Sequence, residues 1–273
     1  IHFFVHQGTV SMTQYDHIAT NYLASKLNSS FREDVEYHSF VHRLVLRALN
    51  IKDATIINLH QVLAEYRILD LGCGAGYLTR KLREELGCKD IVGIDISSAM
   101  IGIGRACEEA HPLGIIYHVS DVQHLVKPEK KFDFVVAFYL LNYAKTREEL
   151  DRMVQVIGEH LTGSDKGYFL SITGNVCAGE NALDPDRYCK YGYRCEVETP
   201  LVDGAQIKNI HFNPDSTSFS YITYYFSPRI YEEAFQKAGF KYFEWVPVET
   251  ASELQKYEDL LKCPPVIGIL AHK

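Results

Sequence analysis

Three acids and three glycines carry the first chemical signal in this chain of 273 residues. Asp70 opens the run Asp70-Leu71-Gly72-Cys73-Gly74-Ala75-Gly76, Asp95 follows Gly76 by roughly 20 residues, and Asp121 lies further on. Glycines at this density let a loop take positive φ and bring backbone N–H groups close to a ligand. A dinucleotide loop would need Gly-x-Gly-x-x-Gly, with a diphosphate at the following helix N-terminus. Here Tyr77 stands at the third glycine position and Gly76 comes one residue early. Asp70 would also face a diphosphate with like charge. A carboxylate at that point suits a ligand carrying a cationic amino group instead.

The remaining acids define the rest of such a ligand. Asp95 can accept from both hydroxyls of a ribose, and Asp121 from the amino group of an adenine. S-adenosylmethionine combines these parts with an amino-acid end and a sulfonium, and has no phosphate.

The elements that must position these residues can be read from apolar runs. Ile68, Leu69 and Leu71 suit a buried parallel strand, and Leu78 and Leu82, four apart, the inner face of a helix. Strands are expected near 67–71, 91–95, 115–119, 133–138 and 167–172, with helices between them. Thr146 with Glu149 forms a capping-box pattern for the helix after the fourth strand. Alternation of this kind predicts an α/β fold with a Rossmann-like, doubly wound sheet, ligands lying at the strand carboxyl ends. Asp70, Asp95, Asp121 and Tyr139 all fall at such ends.

The set Asp70-Leu71-Gly72-Cys73-Gly74-Ala75-Gly76, Asp95, Ser120-Asp121 and Phe132-Asp133 resembles the four core motifs of the class I S-adenosylmethionine-dependent methyltransferases. Outside the core, Tyr15-Asp16-x-Ile18-Ala19-x-x-Tyr22, Tyr139-Leu140-Leu141-Asn142-Tyr143-Ala144, Lys190-Tyr191-Gly192-Tyr193 and Tyr225-Phe226-Ser227-Pro228 resemble bacterial small-molecule members, the toxoflavin-type N- and teleocidin-type C-methyltransferases. The resemblance implies a seven-stranded sheet whose last strand is antiparallel. It also implies S-adenosyl-L-methionine as cofactor, with S-adenosyl-L-homocysteine as product, held by Tyr15, Tyr22, Arg32, Asp70, Gly72, Gly74, Asp95, Ile96, Met100, Asp121, Val122 and Phe138. The methyl acceptor would be a small aromatic, heterocyclic or apolar molecule attacked at nitrogen, carbon or oxygen.

Methyl transfer to an alcohol, phenol or carbon acid needs a base, whereas a neutral amine does not. Tyr15, Tyr139, Asn142 and Tyr143 are the candidate catalytic residues, with the base left open and His211 fitting a structural role better. Arg32 could meet the cofactor carboxylate or simply face solvent. Tyr15 and Tyr22, two helical turns apart, could line the cofactor or pack in a core.

The expected organisation is a tail or added segment over 1–11, an N-terminal helical cap over 12–64, and a cofactor-binding core over 65–173. An inserted lid with a β-hairpin occupies 174–227, and the end of the core sheet 228–273. Residues 206–212 and 218–226 form the hairpin around 213–217. Its aromatic loading fits an acceptor pocket and fits a contact between copies equally well, as does the cap.

A net charge of −7 without basic runs argues against a nucleic-acid surface. Seven scattered cysteines without Cys-x-x-Cys point to a reduced, cytoplasmic protein. Cys189, Cys195 and His211 lack the short paired spacing of zinc ligands, so no metal is expected. No apolar stretch approaches the ~20 residues of a membrane helix. Two other readings compete. A nicotinamide-dependent oxidoreductase is opposed by Asp70 and the missing third glycine, and a non-catalytic methyltransferase-like scaffold is opposed by the intact acids.

Overall fold

The computed structural model describes residues 12–27, 30–52, 58–163, 166–198, 200–213, 217–250 and 257–273. The expected tail at 1–11 and the tip of the hairpin loop at 214–216 lie outside them. The central sheet has seven strands: β1 (Arg67–Leu71), β2 (Asp90–Asp95), β3 (Ile116–Val119), β4 (Phe134–Phe138), β5 (Tyr168–Gly174), β9 (Tyr242–Val246) and β10 (Val266–His272). Their order is β3-β2-β1-β4-β5-β10-β9, with β10 antiparallel to both neighbours and the other pairs parallel. Reversal of the sheet order at β1 opens a crevice beyond the carboxyl ends of β1 and β4.

Helices cover both faces, as the buried runs on both sides of each strand require. On one face lie a helical stretch at 30–48 (α2), α3 (Tyr77–Glu84) and α4 (Ser98–Ala110), sharing a core of Phe40, Leu44, Leu78, Leu82, Ile101, Ile172 and Leu270. On the other face, α5 (Arg147–His160) and α6 (Pro228–Lys237) bring Val154, Ile157, Tyr231 and Phe235 against Phe169 and Ile269. Thr146 caps α5 by accepting from the Glu149 N–H at 3.3 Å. Glu149 reaches back to the N–H of Lys145 at 2.7 Å, so the expected capping box closes one residue early.

The segment expected to be wholly a cap divides in two. Helix α1 (Gln14–Leu27) lies against α4 and the lid, whereas α2 belongs to the sheet core. Within α2, Arg32–Tyr37 and Phe40–Val45 are wound as wide π turns. This winding buries Val35, Glu36 and Tyr37 in succession, which an amphipathic α-helix with a 3.6-residue period would not do.

The lid is larger than the expected hairpin. Strands β7 (Gln206–Phe212) and β8 (Ser218–Tyr224) pair as the sequence indicates, and β6 (Tyr193–Val197) adds a third antiparallel strand on the other edge of β7. The short run Tyr193-Arg-Cys-Glu-Val197, lying in a stretch rich in turn residues, gives too little period-2 signal to be read as a strand. No described helix is long and apolar enough to cross a membrane.

The early third glycine has a steric cause. Gly76 caps α3 at φ 87°, and a Cβ there would sit 2.1 Å from the Tyr117 hydroxyl. Gly76→Ala is expected to lower stability by about 2–4 kcal/mol, read as the shift of a urea midpoint. Adding Tyr117→Phe should restore only part of this, because the ring carbon at 2.8 Å and the positive φ both remain.

Candidate active site

The glycine turn is held by its own backbone. The N–H groups of Gly72 and Cys73 both donate to the Ile94 carbonyl at 2.8 and 3.0 Å, and the Gly76 N–H donates to Cys73. The Gly74 N–H donates to Asp95 Oδ2 at 2.8 Å. These four donors are engaged within the protein. Gly74, at φ 56°, has open space where a Cβ would project.

Asp70 is 1% exposed at the end of β1 and accepts from the Thr79 hydroxyl at 2.6 Å. Burial, with the nearby Asp95 charge adding to it and the Thr79 bond opposing it, pushes its carboxyl up to about 7. Asp95, half-buried, accepts from Gly74 through Oδ2 and from the Ser97 N–H through Oδ1 at 2.8 Å. Burial raises its carboxyl despite these backbone bonds. Beside it, Ile96 stays 38% exposed, an apolar surface at the rim, while Met100 is buried in α4 with its N–H on the capping Ser97 hydroxyl. Asp121 caps the short turn Val122–His124 by accepting from the Gln123 N–H at 2.9 Å. Val122 is buried beneath it, and Phe138, half-buried at the end of β4, stacks edge-on with Phe40.

Arg32 does not simply face solvent. Its guanidinium lies over the ring of Tyr77, 4.1 Å from the centroid and directly after the glycine turn, and its Nε is buried without a hydrogen-bond partner among the described residues.

Asp16, beside Tyr15 in the first motif, docks α1 onto this site. Its Oδ1 accepts from the Ser97 hydroxyl at 2.7 Å and the Ala99 N–H at 3.1 Å, and its Oδ2 from the Thr13 N–H and hydroxyl. Burial pushes its carboxyl up, but these donors outweigh that and hold it at about 2. Asp16→Ala is expected to speed amide hydrogen exchange in α1 by about tenfold or more while leaving β1 and β4 protected.

Beyond Asp95, four tyrosines from three parts of the chain meet. Tyr15 stands with its ring centroid 5.1 Å from Tyr22, 5.8 Å from Tyr143 and 5.7 Å from Tyr221 on β8, and its hydroxyl bonds that of Tyr143. Burial raises the phenols of Tyr15, Tyr143 and Tyr221, so at neutral pH each keeps its proton and can donate it to a hydrogen bond. Tyr221 was not among the residues singled out from sequence, and its place on the hairpin strand gave no chemical signal.

Under the lid lies a cavity of about 380 Å³. Its core side carries Tyr139, Asn142 and Glu36, and its lid side carries His211, Asn209 and several tyrosines. Tyr139 has φ 56°, a conformation unfavourable for a bulky residue, and its hydroxyl donates to Glu36, which is 1% exposed. Asn142 Oδ1 is buried without a hydrogen-bond partner among the described residues. His211 is stacked on the rings of Phe219 and Tyr221, with Nε2 3.1 Å from the Tyr221 hydroxyl.

Residues 68–163 match the family model described as a methyltransferase domain. This segment is similar to methyltransferase domains. A ubiquinone biosynthesis O-methyltransferase of Coxiella burnetii is 27% identical over 111 residues, 41% of this chain and 45% of that protein. A demethylmenaquinone methyltransferase of Thermus thermophilus is 34% identical over 95 residues, 34% of this chain and 43% of that protein. The chain thus spans less than half the length of these curated relatives. Among solved structures, an S-adenosylmethionine-dependent methyltransferase of Clostridium acetobutylicum superposes with a TM-score of 0.57 at 16% identity, over 86% of this chain and 98% of that one. Within the matched segment, the crevice of the sheet collects Asp70, Asp95, Ile96 and the glycine turn. The cavity lies past β4 and β5, under the insertion.

Proposed function

We propose that the chain transfers a methyl group from S-adenosylmethionine to a small molecule. The observation that carries this reading is the state of the glycine turn: its N–H groups at 72, 73, 74 and 76 are engaged internally, and two carboxylates stand beside it. A diphosphate would meet few free donors and two like charges, whereas a nucleoside with a zwitterionic end meets complementary groups. Asp70 would face the amino group and Arg32, with its unpartnered Nε, the carboxylate. Asp95 keeps lone pairs for both ribose hydroxyls, and Ile96 offers an apolar face to the base. Tyr15, Tyr22 and Tyr143 would surround the sulfonium end, where aromatic faces suit a cation. The cofactor supplies a methyl group already activated by positive sulfur. What the protein adds is position: the cavity wall at Tyr139 and Asn142 holds the acceptor, and the lid excludes water.

The experiment is a calorimetric titration of S-adenosylhomocysteine, with NAD as a control ligand. Saturable heat with the first and none with the second is expected. A folded protein silent to S-adenosylhomocysteine would sink the reading.

A further inference from the structure

The lid brings to the cavity a pair of groups that can move a proton. We propose that the methyl acceptor is an aromatic hydroxyl, and that its proton leaves through the Tyr221 hydroxyl to Nε2 of His211. The inference deepens the methyl-transfer reading and rests on it for its biological sense, but its evidence is the geometry of the lid.

Both side chains line the cavity, His211 from β7 and Tyr221 from β8. Nε2 lies 3.1 Å from the Tyr221 hydroxyl. The Tyr221 ring also stands 5.7 Å from Tyr15 and 6.4 Å from Tyr143, the residues assigned above to the sulfonium end. The pair therefore reaches from the acceptor space toward the methyl group. A phenolic oxygen has one proton to give and two lone pairs with which to accept, so Tyr221 can receive from an acceptor hydroxyl while it donates to Nε2. This takes the imidazole tautomer whose proton is on Nδ1.

Three other tyrosine hydroxyls of the wall end on different partners. Tyr188 donates to the Cys263 carbonyl at 2.6 Å and Tyr193 to Asn209 Oδ1 at 2.8 Å, neutral oxygens that do not hold a proton near neutral pH. Tyr139 donates to Glu36, but a carboxylate ordinarily titrates at about 4 and is a weak base toward a phenol. Glu36 is also 1% exposed, with no direct way to give a proton to water. An imidazole titrates close to neutral pH, and His211 is half-buried, so it can take the proton and release it to solvent. Its ring lies within 5° of parallel to Phe219 at 5.2 Å and is 5.1 Å from Tyr193, aromatic faces that suit the imidazolium once formed. The titratable groups around it are Tyr193 of β6 and Tyr221 of β8, with Glu36 of α2 acting on Tyr221 across the cavity.

An aromatic hydroxyl keeps its proton at neutral pH and attacks poorly until that proton is lost, whereas a neutral amine needs no such path. The acceptor O–H bond breaks and its proton goes to the Tyr221 oxygen, as the Tyr221 proton goes to Nε2. The acceptor oxygen uses the freed pair to take the methyl group, whose former bonding pair stays on sulfur. Tyr221 ends as a phenol again, the form its burial favours, and the positive charge lost at sulfur reappears on the imidazole.

The test uses 4-nitrophenol, whose phenolate absorbs where the phenol does not. It is added to the whole chain, with and without S-adenosylhomocysteine, in a buffer about a unit below the pKa of the probe in water. The bound probe is expected to show the phenolate band well beyond its fraction in buffer. Its methyl ether, 4-nitroanisole, has no proton to lose and should show no such band. His211→Gln, which keeps a polar group beside Tyr221, should bring the ionised fraction of bound probe back to that of free probe or below. Tyr221→Phe gives a second arm should His211→Gln fail to fold, with the same expected loss. A probe that does not bind, or that binds as the phenol, would overturn the proposal. So would a phenolate band indifferent to both substitutions, or one lost in Glu36→Gln and kept in His211→Gln. A protein that ionises the probe through His211 but gives no response to S-adenosylhomocysteine would keep this assignment and lose the methyl-transfer reading.

Discussion

Asp95→Ala is expected to weaken S-adenosylhomocysteine at least about 100-fold, to the edge of what calorimetry detects. The side chain does two things at once. Its oxygens fix the loop through the Gly74 and Ser97 N–H groups, and each has acceptor capacity left for a further donor. Two ribose hydroxyls bonded to a charged acceptor contribute about 1.5–3 kcal/mol each, and their joint loss alone corresponds to two or more orders of magnitude. The variant also leaves two backbone donors without an acceptor, so the melting temperature should drop. Asp95→Asn separates the effects. Its amide oxygen can keep one backbone donor, and it should recover part of the stability with little of the affinity. Retention of S-adenosylhomocysteine binding within threefold in Asp95→Ala would remove the ribose role altogether.

Asp70→Asn should show opposite effects on the free and liganded protein. In the folded chain the Asp70 carboxyl is held near 7, whereas in an unfolded chain it titrates near 4. Between those values the native state binds the extra proton, so stability falls as pH rises from about 4 through about 7. Three units correspond to roughly 4 kcal/mol, an upper bound on what the buried charge costs the free protein above pH 7. The amide can still accept from Thr79 and carries no charge. Asp70→Asn is therefore expected to melt several degrees higher than the parent at pH 8 and at nearly the same temperature at pH 4.5. The same change removes the proposed partner of the cofactor ammonium and should weaken S-adenosylhomocysteine about tenfold or more at pH 8. A cation arriving beside Asp70 also drives its proton off, so the parent's binding heat near pH 6.5 should vary with the ionisation enthalpy of the buffer, and the variant's should not. Identical pH–stability curves for the two proteins would contradict this account.

The parts legible in the sequence are those enforced by burial on both faces. Ile68-Leu69, Ile91-Val92 and Phe134-Val135-Val136 read as central strands, and the acids Asp70 on β1 and Asp95 on β2 marked the crevice edge. Glu36 was not legible. In an α-helix with apolar residues at 41, 44, 45 and 48, a glutamate at 36 reads as part of the solvent face, and only the π winding turns it inward. Asp16 hid for a different reason: its partners, Ser97 and Ala99, lie more than 80 residues away and supply a hydroxyl and a backbone N–H that no local pattern advertises. The third lid strand was obscured by its setting among turn residues, and the left-handed Tyr139 by its type, since bulky residues seldom adopt that conformation.

Helix α1 grips both halves of the molecule within three residues. Gln14 exchanges two hydrogen bonds of 2.9 Å with the backbone of Ile222 on β8, and Asp16 holds the start of α4. Ser97, which Asp16 grips, is also the residue that steadies Asp95. A change that firms α1 against α4 is therefore expected to firm the lid above the cavity, and one that orders the lid to press α1 back onto α4. Such a mechanical link is symmetrical by thermodynamic necessity: whatever factor one ligand adds to the affinity of the second, the second returns to the first. If both proposed ligands bind, this link predicts synergy between them, and the spent pair should leave more readily once either has gone.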